Sequence, residues 1–168
     1  LVGVLALQKA AQGLPIRVIC LGRMSETQST VETMKEANEI LEFADGLGIR
    51  DVTAYPTSLI LELRKQHPEK IFALHVSENA KSEMNSQKEK GLGQTARALQ
   101  FAPDFLVHLT HTPRSELELV ATNNIKAVCC PRANGILGDG LPDVAGWVAE
   151  GVDFAIGTDN MMFCAPDM

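Results

Sequence analysis

Six short apolar runs, separated by helical patterns, restrict what these 168 residues can fold into. The runs are Ile16 to Leu21, Arg50 to Ala54, Ile71 to Val76, Asp104 to Leu109, Lys126 to Cys130 and Val152 to Gly157. Each is apolar at nearly every position, as in strands covered on both faces, and such strands belong to parallel sheets. Between them the period changes to 3.6. Thr30 to Leu47 places Val31, Met34, Ala37, Ile40, Leu41 and Ala44 on one face, with Ser29 or Thr30 as the cap and Gly46 and Gly48 at the end. Ser58 to Gln66 repeats the pattern. Thr112-Pro113 opens a further helix, with Thr as cap and Pro at the first helical position. Pro142 to Glu150 forms a short one. The order is a helix, then β-α repeated, ending on a strand. It predicts an α/β fold with a parallel sheet and right-handed crossovers.

Two architectures satisfy that order. One is an open doubly wound sheet. The other is a (β/α)8 TIM-like barrel that is incomplete, with strands 3 to 8 and their helices present and strands 1 and 2 absent. Leu21-Gly22-Arg23-Met24 is not a G-x-G-x-x-G turn, which counts against a nucleotide-binding sheet. No linker, repeat or low-complexity tract is visible, so residues 1–168 read as one partial domain. The chain begins without Met, which reads as a start inside a larger protein.

Composition narrows the function. Net charge is −6 and no basic stripe is present, so nucleic acid is not expected as a partner. Lys81, Lys88 and Lys90 alternate with Glu83 and Glu89, as on a solvated helix face. No apolar stretch approaches the roughly 20 residues of a bilayer span, so no membrane is expected. Cys20, Cys129, Cys130 and Cys164 show no C-x-x-C spacing. The first three lie in apolar runs and read as buried thiols, which suits a cytoplasmic location.

Chemistry-bearing side chains gather at one end of the predicted strands. His75 follows Ile71 to Leu74, His108 follows Phe105 to Val107, and Asp159 follows Ala155 to Thr158. In βα folds the C-terminal strand ends build the active site. An ionisable group beside a buried run needs a partner or a metal, and His with Asp suits zinc or iron(II). Glu78, three residues after His75, is placed to serve as general base on the same water.

These segments resemble the amidohydrolase superfamily, in its mononuclear deaminase and chlorohydrolase branch. His75-Val76-Ser77-Glu78 resembles the strand-five motif. Val107-His108-Leu109-Thr110-His111 resembles the strand-six segment. Cys130-Pro131-Arg132-Ala133-Asn134 with Leu137 to Pro142 resembles the strand-seven loop, and Gly151 to Asn160 the strand-eight segment. Residues 1 to 70 fit by alternation only, as strands three and four.

The resemblance implies one divalent metal, zinc or iron, held by His75 and Asp159. It implies that His108 orients the attacking water, that Glu78 carries the proton, that Asn134 shapes the substrate pocket and that His111 supports it. Metal-activated hydroxide would attack a nitrogen heterocycle, a purine or pyrimidine derivative, and release ammonia or halide. A small heterocyclic substrate is the expected partner, and a homo-oligomer is left open. The sequence also departs from the pattern. It has no His-x-His pair, Ala133 stands where serine is common, and no lysine lies in Arg50 to Tyr55, which favours one metal over two. The fragment alone is expected to be inactive. A non-catalytic α/β binding module and a binuclear amidase remain as alternatives.

Overall fold

A computed structural model describes residues 1–26, 28–160, 162 and 165. Cys164 lies outside the described residues. Eight helices and six strands are present among the described residues, with one helix before the first strand and one or two between successive strands. The strands hydrogen-bond in chain order as one parallel sheet. The α/β reading and the parallel sheet therefore hold. The chain divides into two compact units, residues 1–49 with 53–73, and residues 50–52 with 74–168.

In the first unit, α1 (Val2–Ala11) precedes β1 (Leu21–Gly22), α2 (Thr30–Leu41), β2 (Gly46–Ile49) and α3 (Thr57–Gln66). Ser29 caps α2 by a reciprocal capping box with Glu32. Ile40 and Leu41 of α2 and Ile60 and Leu63 of α3 are 2% exposed or less. Each contributes about 1.5–3 kcal/mol by burial. His67 caps α3 and is half-buried, with Nε2 2.7 Å from Asn38 Oδ1.

Both strands of this unit correct the sequence reading. Pairing starts at Leu21 opposite Gly46, so Ile16 to Cys20 is not strand. Asp45 instead accepts the Cys20 backbone N–H at 2.7 Å, and Ile16, Val18 and Ile19 stay exposed. The second strand is Gly46–Ile49, not Arg50 to Ala54, and α2 stops six residues before Leu47. A Cβ on Gly46 would collide with the Ile71 carbonyl, so this glycine permits the backbone approach that makes the strand. Leu47 and Ile49 supply its buried side chains, and the chain leaves the strand at the Arg50–Asp51 ion pair, 3.0 Å long.

In the second unit, the last half of β3 (Ile71–Val76) leads to α4 (Ala80–Lys90), α5 (Gln94–Leu99), β4 (Phe105–His108) and α6 (Arg114–Thr122). β5 (Lys126–Cys129), α7 (Pro131–Leu137), α8 (Val144–Ala149) and β6 (Phe154–Ile156) follow. β4, β5 and β6 pair in parallel. Trp147 is 1% exposed and meets Phe154 edge-on at 5.4 Å between centroids. Pro113, not Thr112, occupies the cap position of α6; the Thr112 hydroxyl instead meets that of Thr95 at 2.8 Å. No described helix is long and apolar enough to cross a membrane.

Candidate metal centre

β3 ends at Val76 and β4 at His108, and these ends carry the site. His75 and His108 face each other, with Nδ1 of His75 3.1 Å from Nε2 of His108 and the ring centroids 5.0 Å apart. Glu78 places Oε1 3.5 Å from the same His108 nitrogen. Ligand atoms of His75, Glu78 and His108 all lie within 4.8 Å of one another.

The backbone leaves the sheet abruptly at these ends. Ser77 has φ 49°, His108 77°, Leu109 49° and Asp159 61°. A residue without glycine's freedom adopts that left-handed region at a cost, of order 1–3 kcal/mol, that its surroundings must offset. Here they do so by hydrogen bonding. Ser77 is fully buried; its N–H donates to Gln94 Oε1 at 2.8 Å, and its carbonyl accepts from His111 N–H at 2.9 Å. Leu109 N–H donates to the Val76 carbonyl at 3.1 Å.

Asn134, on α7, lies behind His108, and neither side chain is exposed. Its Oδ1 accepts from His108 Nδ1 at 2.9 Å, and its Nδ2 donates to Thr110 Oγ1. The partner of His108 away from the cluster is thus an acceptor, which leaves the lone pair of Nε2 facing His75. His111 sits to one side, where Nε2 meets the Asp139 carbonyl at 2.6 Å.

Burial pushes the Glu78 carboxyl above its ordinary range; the nearby His108 opposes this, while Asp139 and Asp159 add to it. Asp159 is half-buried and near enough for its charge to act on Glu78, although it stands outside the tight group of ligand atoms. Four of the six sequence-predicted residues thus share one connected arrangement: His75, Glu78, His108 and Asn134. Asp159 and His111 border it.

A cavity of about 240 Å³ opens beside His75 and Glu78. Arg50, Asp51, Val76, Asn79, Ser82 and Gln94 complete its wall. Sequence reasoning missed Arg50, Asp51 and Gln94. The first two were read as strand, and Gln94 stands in a segment without apolar periodicity. It also missed Glu83. Lys81, Lys88, Lys90 and Glu89 are exposed as expected, but Glu83 is only 5% exposed.

The donor set fits a divalent cation of zinc's size. Two nitrogens each about 2.0–2.1 Å from one zinc stand roughly 3.3 Å apart in tetrahedral geometry, and His75 Nδ1 and His108 Nε2 are 3.1 Å apart. A carboxylate beside two imidazoles is a borderline-hard set suited to zinc or iron(II).

Comparisons with known proteins agree with this geometry. A putative aminohydrolase of Methanothermobacter thermautotrophicus is 35% identical, matching 99% of this chain and 45% of its own length. Guanine deaminase of E. coli superposes with TM-score 0.79 at 18% identity, over 93% of this chain and 42% of that one. Atrazine chlorohydrolase TrzN of Arthrobacter aurescens TC1, complexed with zinc, gives TM-score 0.79 at 15% identity, over 95% and 42%. The chain spans less than half the length of each of these three proteins. The amidohydrolase family model matches residues 2–168, and the chain belongs to the amidohydrolase family.

Proposed function

We propose that this chain supplies strands three to eight of a (β/α)8 barrel, as one partial domain over residues 1–168. The parent protein would hydrolytically deaminate, or dechlorinate, a nitrogen heterocycle such as a purine or pyrimidine derivative. The observation that carries the reading is the convergence of His75, Glu78 and His108 within 4.8 Å in a chain of the amidohydrolase family. The name of the aminohydrolase relative supports hydrolytic chemistry at a carbon–nitrogen bond.

In this reading His75 and Asp159 are ligands to one divalent metal, zinc or iron. Bound there, the metal would lower the pKa of a water from 15.7 toward ~7 and act as a Lewis acid on the substrate. Glu78 takes a proton from the attacking water, delivers it to a ring nitrogen and then assists the leaving ammonia. Burial raises its carboxyl above the ordinary range, which helps it hold the proton between the two transfers. His108 orients the water and stabilises charge on it, and Asn134 holds His108 in place and so shapes the pocket wall. His111 supports the neighbouring loop through Asp139. Arg50, Asp51, Asn79 and Gln94 offer polar contacts to a small heterocycle in the adjoining cavity. We further propose that the protein is cytoplasmic, engages neither nucleic acid nor membrane, and can form a homo-oligomer.

The chain alone would be inactive in this reading. Catalytic zinc takes about three protein ligands plus water, and a His-x-His pair from strand one would complete the set. The test is metal analysis of the full-length protein with an ammonia-release screen over purines, pyrimidines and triazines. One metal per chain with ammonia release is expected. Two metals would point to a binuclear amidase, and none with no turnover would overturn the reading.

A further inference from the structure

Behind the site lies a buried carboxylate that the mechanism does not use. Glu83, on α4, is 5% exposed, yet it does not itself line the cavity and is not one of the candidate ligands. Its Oε2 accepts from Ser77 Oγ at 2.8 Å and from Gln94 N–H at 2.9 Å. Its Oε1 accepts from the Gln87 side chain at 2.9 Å. A hydrogen bond from Ser77 to Glu83 closes a short loop, and Glu78 lies inside that loop. Asn79, the next residue, caps α4 by accepting the Ser82 N–H at 2.9 Å. The Glu78 backbone is therefore fixed from both sides, by the Ser77 turn before it and the α4 cap after it.

We infer that Glu83 is a positioning residue: through Ser77 it sets where the Glu78 carboxylate stands relative to His108. The inference rests on the proposed reading of a metal held by His75 and Asp159 with Glu78 as the proton-transfer group beside it. Ser77 occupies the left-handed region at φ 49° and needs every polar partner it has. Gln94 holds its N–H and His111 holds its carbonyl. Its hydroxyl is shared by Glu83 and Thr95, the latter at 3.2 Å. Of these groups only Glu83 binds both Ser77 and the backbone N–H of Gln94, so one charge fixes the turn and the residue that holds it. A charge-assisted hydrogen bond is about twice as strong as a neutral one, which suits a carboxylate to that task.

The competing account is that Glu83 merely caps α5. Glu116 provides the contrast. It is 8% exposed and accepts from Gly93 N–H and Ala96 N–H, both at 2.9 Å, at the same end of α5. No hydrogen bond joins it to Ser77 among those described. The two carboxylates share the helix end and differ in their reach toward the site.

The experiment uses the full-length protein with cobalt(II) as the metal, and compares Glu83→Gln, Ser77→Ala and Glu116→Gln. Cobalt affinity, the visible cobalt spectrum and crystal structures of the loaded proteins are measured. Glu83→Gln and Ser77→Ala are expected to move the Glu78 carboxylate by about 1 Å and to alter the cobalt spectrum through the water that Glu78 contacts, with cobalt affinity unchanged because His75 and Asp159 are untouched. Glu116→Gln is expected to lower the melting temperature and leave the spectrum unchanged. If Glu83→Gln fails to fold, Ser77→Ala carries the test. A parent protein that takes up no cobalt would overturn the metal-site reading, and this inference with it. Cobalt uptake with an unchanged spectrum in both Glu83→Gln and Ser77→Ala overturns this inference alone, as does an equal disturbance by Glu116→Gln.

Discussion

The Asn134 side-chain carbonyl accepts a hydrogen bond from His108 Nδ1 at 2.9 Å, with both residues wholly buried. The Asn134 amide nitrogen donates to Thr110 Oγ1, so the side-chain oxygen is the atom that faces His108. One amide on α7 thus decides which imidazole nitrogen of β4 carries a proton and which offers a lone pair.

Replacing Asn134 by Ala is therefore expected to do two things. It leaves the His108 N–H and the Thr110 hydroxyl without partners in the interior, at a cost of about 1–3 kcal/mol for each group left unsatisfied. It also frees the His108 ring, with an expected loss of about 10- to 100-fold in turnover of the full-length protein. Chemical denaturation and steady-state kinetics measure the two effects separately.

Glu78→Gln keeps the side chain's shape and removes its capacity to accept a proton. Turnover of the full-length protein is expected to fall by at least ~10²-fold, the usual size of general acid–base catalysis. Metal content should stay that of the parent, since His75 and Asp159 are untouched. Steady-state kinetics with metal analysis on the same sample decide it, and near-normal turnover would remove Glu78 from the proposed role.

Glu116 gives stability a pH dependence. Burial raises its carboxyl above the ordinary range against two backbone N–H bonds, and the neighbouring Glu83 raises it further. The folded protein therefore binds this proton more tightly than the unfolded chain does. That contribution is fully present below the unfolded value, about 4.3, and is lost as pH rises through the raised folded value. The denaturation midpoint is expected to decline across that window, and Glu116→Gln should flatten the decline. An identical pH profile in the variant would show that another group is responsible.

Cys130 is 2% exposed, and burial together with the nearby charge of Asp159 pushes its thiol up to about 12. Since the thiolate is the nucleophile, alkylation in the folded state near pH 8 should be negligible and should appear on denaturation. Peptide-level mass spectrometry after iodoacetamide treatment reads this directly. Rapid native labelling of Cys130 would contradict its burial.

Gly46→Ala tests the corrected second strand. Its added methyl would meet the Ile71 backbone carbonyl, which cannot swing aside as a side chain can. A loss of at least the ~1–3 kcal/mol typical of an overpacked interior is expected in thermal or chemical denaturation. An unchanged midpoint would argue against the tight approach at Gly46.

Several of these features were legible in the sequence for a physical reason. Val107 and Leu106 are followed at once by His108, and Phe72 to Leu74 by His75, so a costly polar group ends an apolar run and marks a strand end. Strands β3 to β6 were readable because their apolar runs are continuous in the sequence. β2 was not, because its pattern alternates glycine with Leu47 and Ile49, and the need for glycine at 46 arises from Ile71, distant in sequence. Arg50 to Ala54 looked more strand-like by composition. Glu83 was read with its charged neighbours Lys81 and Glu89 because nothing local separates them. Its burial follows from the placement of Ser77 and Gln94, which the sequence alone does not give. The role of His111 rested on resemblance rather than on any property of its own neighbourhood.

The left-handed residues at Ser77, His108 and Asp159 also bear on how such a site changes over time. A strand dictates the direction of each side chain by strict alternation, so altering one face of a sheet ordinarily constrains the other. Where the chain kinks out of that regime, the direction of His108 no longer follows from that of Val107. The core beneath can then exchange one aliphatic side chain for another without re-aiming the imidazoles, and the imidazoles can be retuned without repacking the core. Packing and chemistry become separately adjustable at the cost of a few strained dihedral angles.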